Sequence, residues 1–192
     1  MRGEFIEKLE NNPIIAAVKD DKGLKKALST ECEIIFILYG DLCSIPEIVA
    51  KVKDAGKLAM VHIDLIVGLN NTKDVAVEFI KENTRADGII TTKANLIGKA
   101  KVLGLYTILR YFVIDSMALV NIEKQDGHGQ ARPDVIEILP GILLPKIIKK
   151  IKTISRVPVI AGGLISDKED VMNALNNGLL AVSTTNEEVW DL

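Results

Sequence analysis

The sequence predicts an α/β protein: a compact TIM-type (β/α)8 barrel, a single domain over residues 1–192. Three observations predict it. Eight short apolar runs begin at positions 14, 34, 58, 88, 106, 135, 159 and 180, each followed by a helix-like segment. Strands alternating with helices at that spacing pair in parallel. Runs such as Ile34-Ile35-Phe36-Ile37-Leu38 are apolar at every position, as in strands covered on both faces. Finally, the last two units open onto glycine and hydroxyl turns, where barrels of this type commonly hold a phosphate. A doubly wound open sheet is the alternative.

Taken in order, the strands are read as Ile14–Val18, Ile34–Tyr39, Leu58–Ile63, Gly88–Thr91, Tyr106–Arg110, Val135–Ile138, Val159–Ala161 and Leu180–Thr184. Between them, Ile45, Ile48, Val49, Val52 and Ala55 recur on one helical stripe. Ser44-x-x-Glu47, Ser166-x-x-Glu169 and Thr185-x-x-Glu188 are capping-box patterns ahead of helical stretches, the last implying a helix after the eighth strand. Gly56, Gly104 and Gly178 stand where helices stop. The stretch Gln125–Arg132, which contains His128, is the least regular and reads as a mobile connection.

Composition narrows the function classes. Hydrophobic residues make up 48% and charged ones 26%, as in an ordinary soluble globular protein. With a formal charge of −2, any nucleic-acid site has to be a local patch. Cys32 and Cys43 match no metal spacing or disulfide framework, which favours the reducing cytoplasm; no metal site is expected. No apolar run is long enough to span a membrane, and the first residues lack a signal-peptide core.

Chemistry in such a barrel gathers at the C-terminal strand ends. Period-two alternation groups His62 with Asp64, Thr91 with Lys93, and Tyr106 with Ile108 and Arg110. Glu137 interrupts an apolar strand, so it is expected inside the barrel, facing Arg110 across the interior. Lys19 follows the first strand. Gly162-Gly163 and Thr184-Thr185 form the phosphate cup, since glycine permits close backbone approach and helix starts favour anions. Each has a structural counterpart: His62 as an interior hydrogen-bonded histidine, Arg110–Glu137 as a stabilising ion pair, Lys93 as a surface lysine, the glycines as a tight turn. His62 with Asp64, or Lys93 with Glu137, are the acid–base pairs a phosphosugar isomerase, aldolase or lyase would use. The densest cationic cluster is Lys146, Lys149, Lys150, Lys152 and Arg156, and Lys146, Lys149 and Lys150, on one helical face, are the candidate RNA contacts.

With these residues collected, the chain resembles the glycerol uptake operon antiterminator family of bacterial regulators, glycerol-3-phosphate-responsive antiterminators. The resemblance runs through Asn12-Pro13-Ile14-Ile15-Ala16-Ala17, Val61-His62-Ile63-Asp64-Leu65, Asp87-Gly88-Ile89-Ile90-Thr91-Thr92-Lys93 and Arg110-Tyr111-Phe112. Its most specific stretches are Pro133-Asp134-Val135-Ile136-Glu137-Ile138-Leu139-Pro140-Gly141, Ala161-Gly162-Gly163-Leu164-Ile165 and Ala181-Val182-Ser183-Thr184-Thr185-Asn186. It implies a regulator, not an enzyme, with glycerol 3-phosphate as effector, no cofactor, and leader mRNA of glycerol genes as partner. A homo-oligomer is among the forms it admits. The implied site holds phosphate on Gly162, Gly163, Thr184 and Thr185, and glycerol hydroxyls near Asp64, Arg110 and Glu137. In place of the family's usual basic residue after Leu164-Ile165 stands Ser166, and Lys93 stands where arginine is usual; both bear on ligand identity, because lysine lacks the guanidinium fork.

Overall fold

The computed structural model describes residues 2–125 and 132–192. The eight strands, β1 Ile14–Val18, β2 Ile34–Ile37, β3 Leu58–His62, β4 Gly88–Thr91, β5 Tyr106–Phe112, β6 Val135–Leu139, β7 Val159–Gly162 and β8 Val182–Thr184, close into a barrel in sequence order. Every pairing is parallel, and Ile14↔Val182 joins β1 to β8. Helices α1 Arg2–Asn11, α2 Asp21–Ala27, α3 Ile45–Asp54, α4 Val75–Asn83, α5 Asn95–Val102, α6 Ser116–Gln125, α7 Pro145–Ile154 and α8 Lys168–Asn176 complete the chain. The expected connection over Gln125–Arg132, with His128, lies almost wholly outside the described residues.

Two features depart from the expected order. Helix α1, unanticipated, precedes the first strand. Phe5 and Leu9, one turn apart on it, are fully buried against the barrel interior at the strands' N-terminal ends, and Phe5 stacks on Tyr106 at 4.7 Å. Helix α1 is thus the barrel's stopper. After β8, by contrast, the chain turns without forming an α-helix. The Thr185-x-x-Glu188 box is not built: Asn186 accepts from the Glu188 N–H, and Trp190 is buried with its indole donating to the Thr184 carbonyl at 2.8 Å.

The other caps form one or more residues from their predicted places. Asp167 caps α8 by accepting from the Asp170 N–H, and the Asp170 carboxylate reaches back to the Ser166 N–H. Before α3, the Asp41 carboxylate takes the Cys43 and Ser44 N–H groups, while Ser44 makes no cap bond. Aspartate, an acceptor only, outcompetes a neighbouring serine for free N–H groups.

The apolar residues divide into two cores. One lies between strands and helices and includes Ile35, Val49, Val61 and Ile89. The other fills the barrel with Ile15, Phe36, Met60, Ile90, Ile108, Val135, Ile160 and Ala181. Membership of the second core fixes which parity of each strand points inward.

Candidate functional site at the barrel mouth

Continuing that inward parity toward the strands' C-terminal ends changes the chemistry at one level. Above Met60, Ile108, Val135, Ile160 and Ala181 come His62, Arg110, Glu137, Gly162 and Ser183. Arg110 and Glu137 are register partners on the adjacent strands β5 and β6, so they meet side by side and not across the interior as the sequence suggests. Arg110 Nε donates to Glu137 Oε2 at 2.6 Å, and Ser183 Oγ donates to Oε1 at 2.6 Å. Glu137 is wholly buried, so both oxygens require these partners.

Between β6 and β8 lies β7, and its inward residue at this level is Gly162. A Cβ there would fall 2.8 Å from Ser183 Oγ and 3.1 Å from Glu137 Cδ, with Oε1 closer still. Glycine is what lets the carboxylate reach over one strand to the next. Gly163 follows at φ 73°, and Leu164 is also left-handed at φ 61°, unusual for a residue with a side chain. The Gly163 carbonyl accepts from the Gly141 N–H at 2.8 Å, tying the loop after β6 to the loop after β7.

His62 is 2% exposed, and its Nδ1 has no hydrogen-bond partner among the described residues. Burial, then the nearby Arg110 charge, push its pKa down to about 4 against the opposing pull of Asp64. The imidazole is therefore neutral near pH 7. Arg110 donates through Nε alone among contacts to described residues, leaving guanidinium donors for a ligand.

Other sequence candidates fall differently. Asp64 sits in a 3-10 turn, Ile63–Leu65, and accepts from Thr91 Oγ1, the Thr92 N–H and Thr92 Oγ1, each at 2.7 Å. Burial pushes its carboxyl up, but these bonds and the neighbouring His62 hold it below the usual value. Asp64 braces the β3 and β4 ends; its oxygens are engaged by protein. On β4 the inward parity is Gly88 and Ile90, so Thr91 points to the outer layer and not into the mouth. Lys93 and Lys19 are exposed just past β4 and β1. Thr184 donates to the Ile165 carbonyl at 2.7 Å and accepts from the Asn186 N–H, so its hydroxyl holds the turn together. Thr185 is exposed beside it. Sequence reasoning passed over Ser183, one residue from the chosen threonines; Ala181 inside the barrel is the signal that selects it. Exposed Phe112, at the end of β5, and Ile114, Ile142 and Leu164, on the loops beyond β5, β6 and β7, stand around this polar layer.

Neither acid–base pair suggested by the sequence stands free. Lys93 is exposed while Glu137 is buried and doubly bonded, and Asp64 next to His62 is saturated. Among the described residues no three His, Cys, Asp or Glu side chains group as metal ligands, and no helix is long and apolar enough to cross a membrane.

The model of a family described as glycerol-3-phosphate responsive antiterminators matches residues 14–190. The uncharacterized protein YgcP of Escherichia coli strain K12 is 48% identical over 96% of this chain and 94% of its own. A glycerol uptake operon antiterminator regulatory protein from Listeria monocytogenes superposes with a TM-score of 0.85 at 35% identity, covering 94% and 95% of the two chains. A glycerol uptake operon antiterminator-related protein from Thermotoga maritima gives 0.79 at 33%, covering 93% and 98%. A deoxyribose phosphate aldolase from Aeropyrum pernix, at 12% identity and 0.70, shares the fold alone. Matched over nearly its whole length by model, sequence and structure, the chain belongs to the glycerol-3-phosphate responsive antiterminator family.

Proposed function

We propose that this chain is a cytoplasmic, glycerol-3-phosphate-responsive transcription antiterminator that binds its effector in the barrel mouth and acts on leader mRNA of glycerol-utilisation genes. One observation carries the ligand site: a polar layer of His62, Arg110, Glu137 and Ser183 caps an otherwise apolar barrel interior. A purely structural interior does not call for an imidazole nitrogen without a partner.

The layer suits a small polyol. Arg110 offers donors and neutral His62 an acceptor or donor at Nδ1, depending on tautomer, for hydroxyl groups. The phosphate lies toward the turns after β7 and β8, at Gly163 and Thr185, with Lys19 and Lys93 supplying positive charge at the rim; Gly162, whose open side the Glu137 carboxylate takes, shapes the layer beneath. Asp64 and Thr184 support this site from behind. A ligand bridging these loops shifts the protein toward its RNA-gripping form only through different affinity for the two forms.

An isomerase or aldolase would use an unengaged acid–base pair, whereas a sensor requires none; the bonded carboxylates favour the sensor. The test is calorimetric titration with glycerol 3-phosphate, glycerol and inorganic phosphate, alongside assays with phosphorylated trioses. Saturable heat with glycerol 3-phosphate, weakened in Gly163→Val and Lys19→Met, is expected. No heat, or turnover abolished by His62→Ala, overturns the reading.

A further inference from the structure

We propose that the groove between α7 and α8 is where RNA backbone phosphates dock, with Lys146, Lys149 and Lys152 as the gripping cations. This rests on the antiterminator reading for the identity of the polyanion. The groove itself rests on charge and shape.

Six lysines elsewhere on the barrel wall have carboxylate partners, whereas others, such as Lys22, Lys25 and Lys81, stand singly or in pairs on helices that also carry acids. Lys8 meets Glu33, Lys26 meets Glu187, Lys51 meets Glu47, Lys53 meets Asp87, Lys99 meets Glu78 and Lys101 meets Asp134. Helix α7, Pro-Lys-Ile-Ile-Lys-Lys-Ile-Lys-Thr-Ile, contains no acid. Lys146, Lys149, Lys150 and Lys152 are exposed and have no ion pair among the described residues. Unneutralised cations along one edge of a protein with net charge −2 make a local attraction for a polyanion that the whole molecule lacks.

These lysines also face a concavity. A hollow of about 480 Å³ is lined by Lys146, Lys149, Lys152, Thr153, Asn176 and Asn177. Lys150, chosen from the sequence, is not on it; Lys152 is. Position 178 makes room for that side chain: Gly178, left-handed at φ 85°, has the Lys152 ammonium where its Cβ would begin. The three lysines recur every third residue and so spread over about 9 Å of helix axis, enough to meet more than one phosphate. Asparagine amides add neutral donors for phosphate oxygens.

The groove continues in both directions. Lys152 is shared with a second hollow of about 470 Å³ toward Glu10 and Pro13, and Pro145 and Asn177 with a third of about 210 Å³ bounded by Gly141 and Ile142. Gly141 belongs to the loop bonded to Gly163. The proposed track therefore begins at the loops that would enclose the effector. No aromatic side chain lines the lysine hollow, so it fits backbone phosphates rather than stacked bases.

The experiment measures fluorescence anisotropy of a labelled RNA hairpin with a single-stranded tail, with glycerol 3-phosphate present, over a salt series. The triple variant Lys146→Gln, Lys149→Gln, Lys152→Gln should lose at least about tenfold in affinity at low salt. Its log–log salt slope should flatten by about one unit per lysine removed. Lys150→Gln and Lys25→Gln serve as controls and should change little. Effector heat and thermal midpoint in the triple variant should match the unmodified protein. Wild-type affinity in a folded triple variant overturns the groove and leaves the antiterminator reading standing. RNA binding by neither protein overturns both, and a shared acidic protein partner retained by the wild type alone would reassign the groove to protein. Missing effector heat with a lysine-dependent RNA slope overturns the mouth site and upholds the groove.

Discussion

Gly162 gives Glu137 its place: the carboxylate lies over the glycine and takes the Ser183 hydroxyl from the strand beyond. Adding one methyl group forces the acid aside. Gly162→Ala should lower stability by about 1 to 3 kcal/mol, as overpacking does, and weaken effector binding. Urea titration and calorimetry measure both; unchanged stability would mean that the carboxylate relaxes freely.

The Arg110–Glu137 contact is buried, and breaking such a pair from one side leaves an uncompensated charge. Glu137→Leu alone should destabilise by about 3 to 5 kcal/mol. Arg110→Met with Glu137→Leu should recover much of that loss without restoring the effector. A double-mutant cycle in urea, with calorimetry on each variant, separates the pair's structural part from its ligand-binding part.

His62 predicts a pH dependence. Its pKa falls from 6.5 to about 4 on folding. Between those values the unfolded chain binds a proton that the folded one refuses, so stability drops as pH falls from about 6.5 toward 4. The full effect approaches about 3 kcal/mol. Asp64, depressed on folding, loses its contribution only at lower pH, as its own carboxyl protonates. Urea midpoints between pH 7 and 4.5 should slope in the unmodified protein and flatten in His62→Gln; identical slopes would refute the assignment.

The stopper is testable by truncating one side chain. Phe5→Ala removes a fully buried ring that stacks on Tyr106 and should cost about 3 to 5 kcal/mol. Thermal or urea unfolding reads this directly. Effector affinity should change little, because Phe5 lies at the far end from Arg110.

Strands and their order were legible because β-branched runs such as Ile34–Ile37 are unambiguous and parallel strands buried on both sides need little register information. Helix α1 was not: among its residues of described burial only Phe5 and Leu9 are fully buried core positions, too few for a periodic signal. Arg110 and Glu137 stood out as charges within apolar strands. Ser183 did not, because alternation separates Ala181 and Ser183 from Val182 and Thr184 without saying which pair faces inward; the buried interior position of Ala181 decides it. The bonds of Asp64 to Thr91 and Thr92 were not legible, because the chain leaves extended geometry at Ile63, after which period-two counting no longer applies.

Phe5, Leu9 and the packed apolar side chains above them leave no way through the barrel from its far end. Whatever reaches Arg110 must arrive and depart by the same doorway, so two molecules compete there by exclusion. Occupancy would then be single, and a partner that covers the doorway would slow escape without touching the molecule inside.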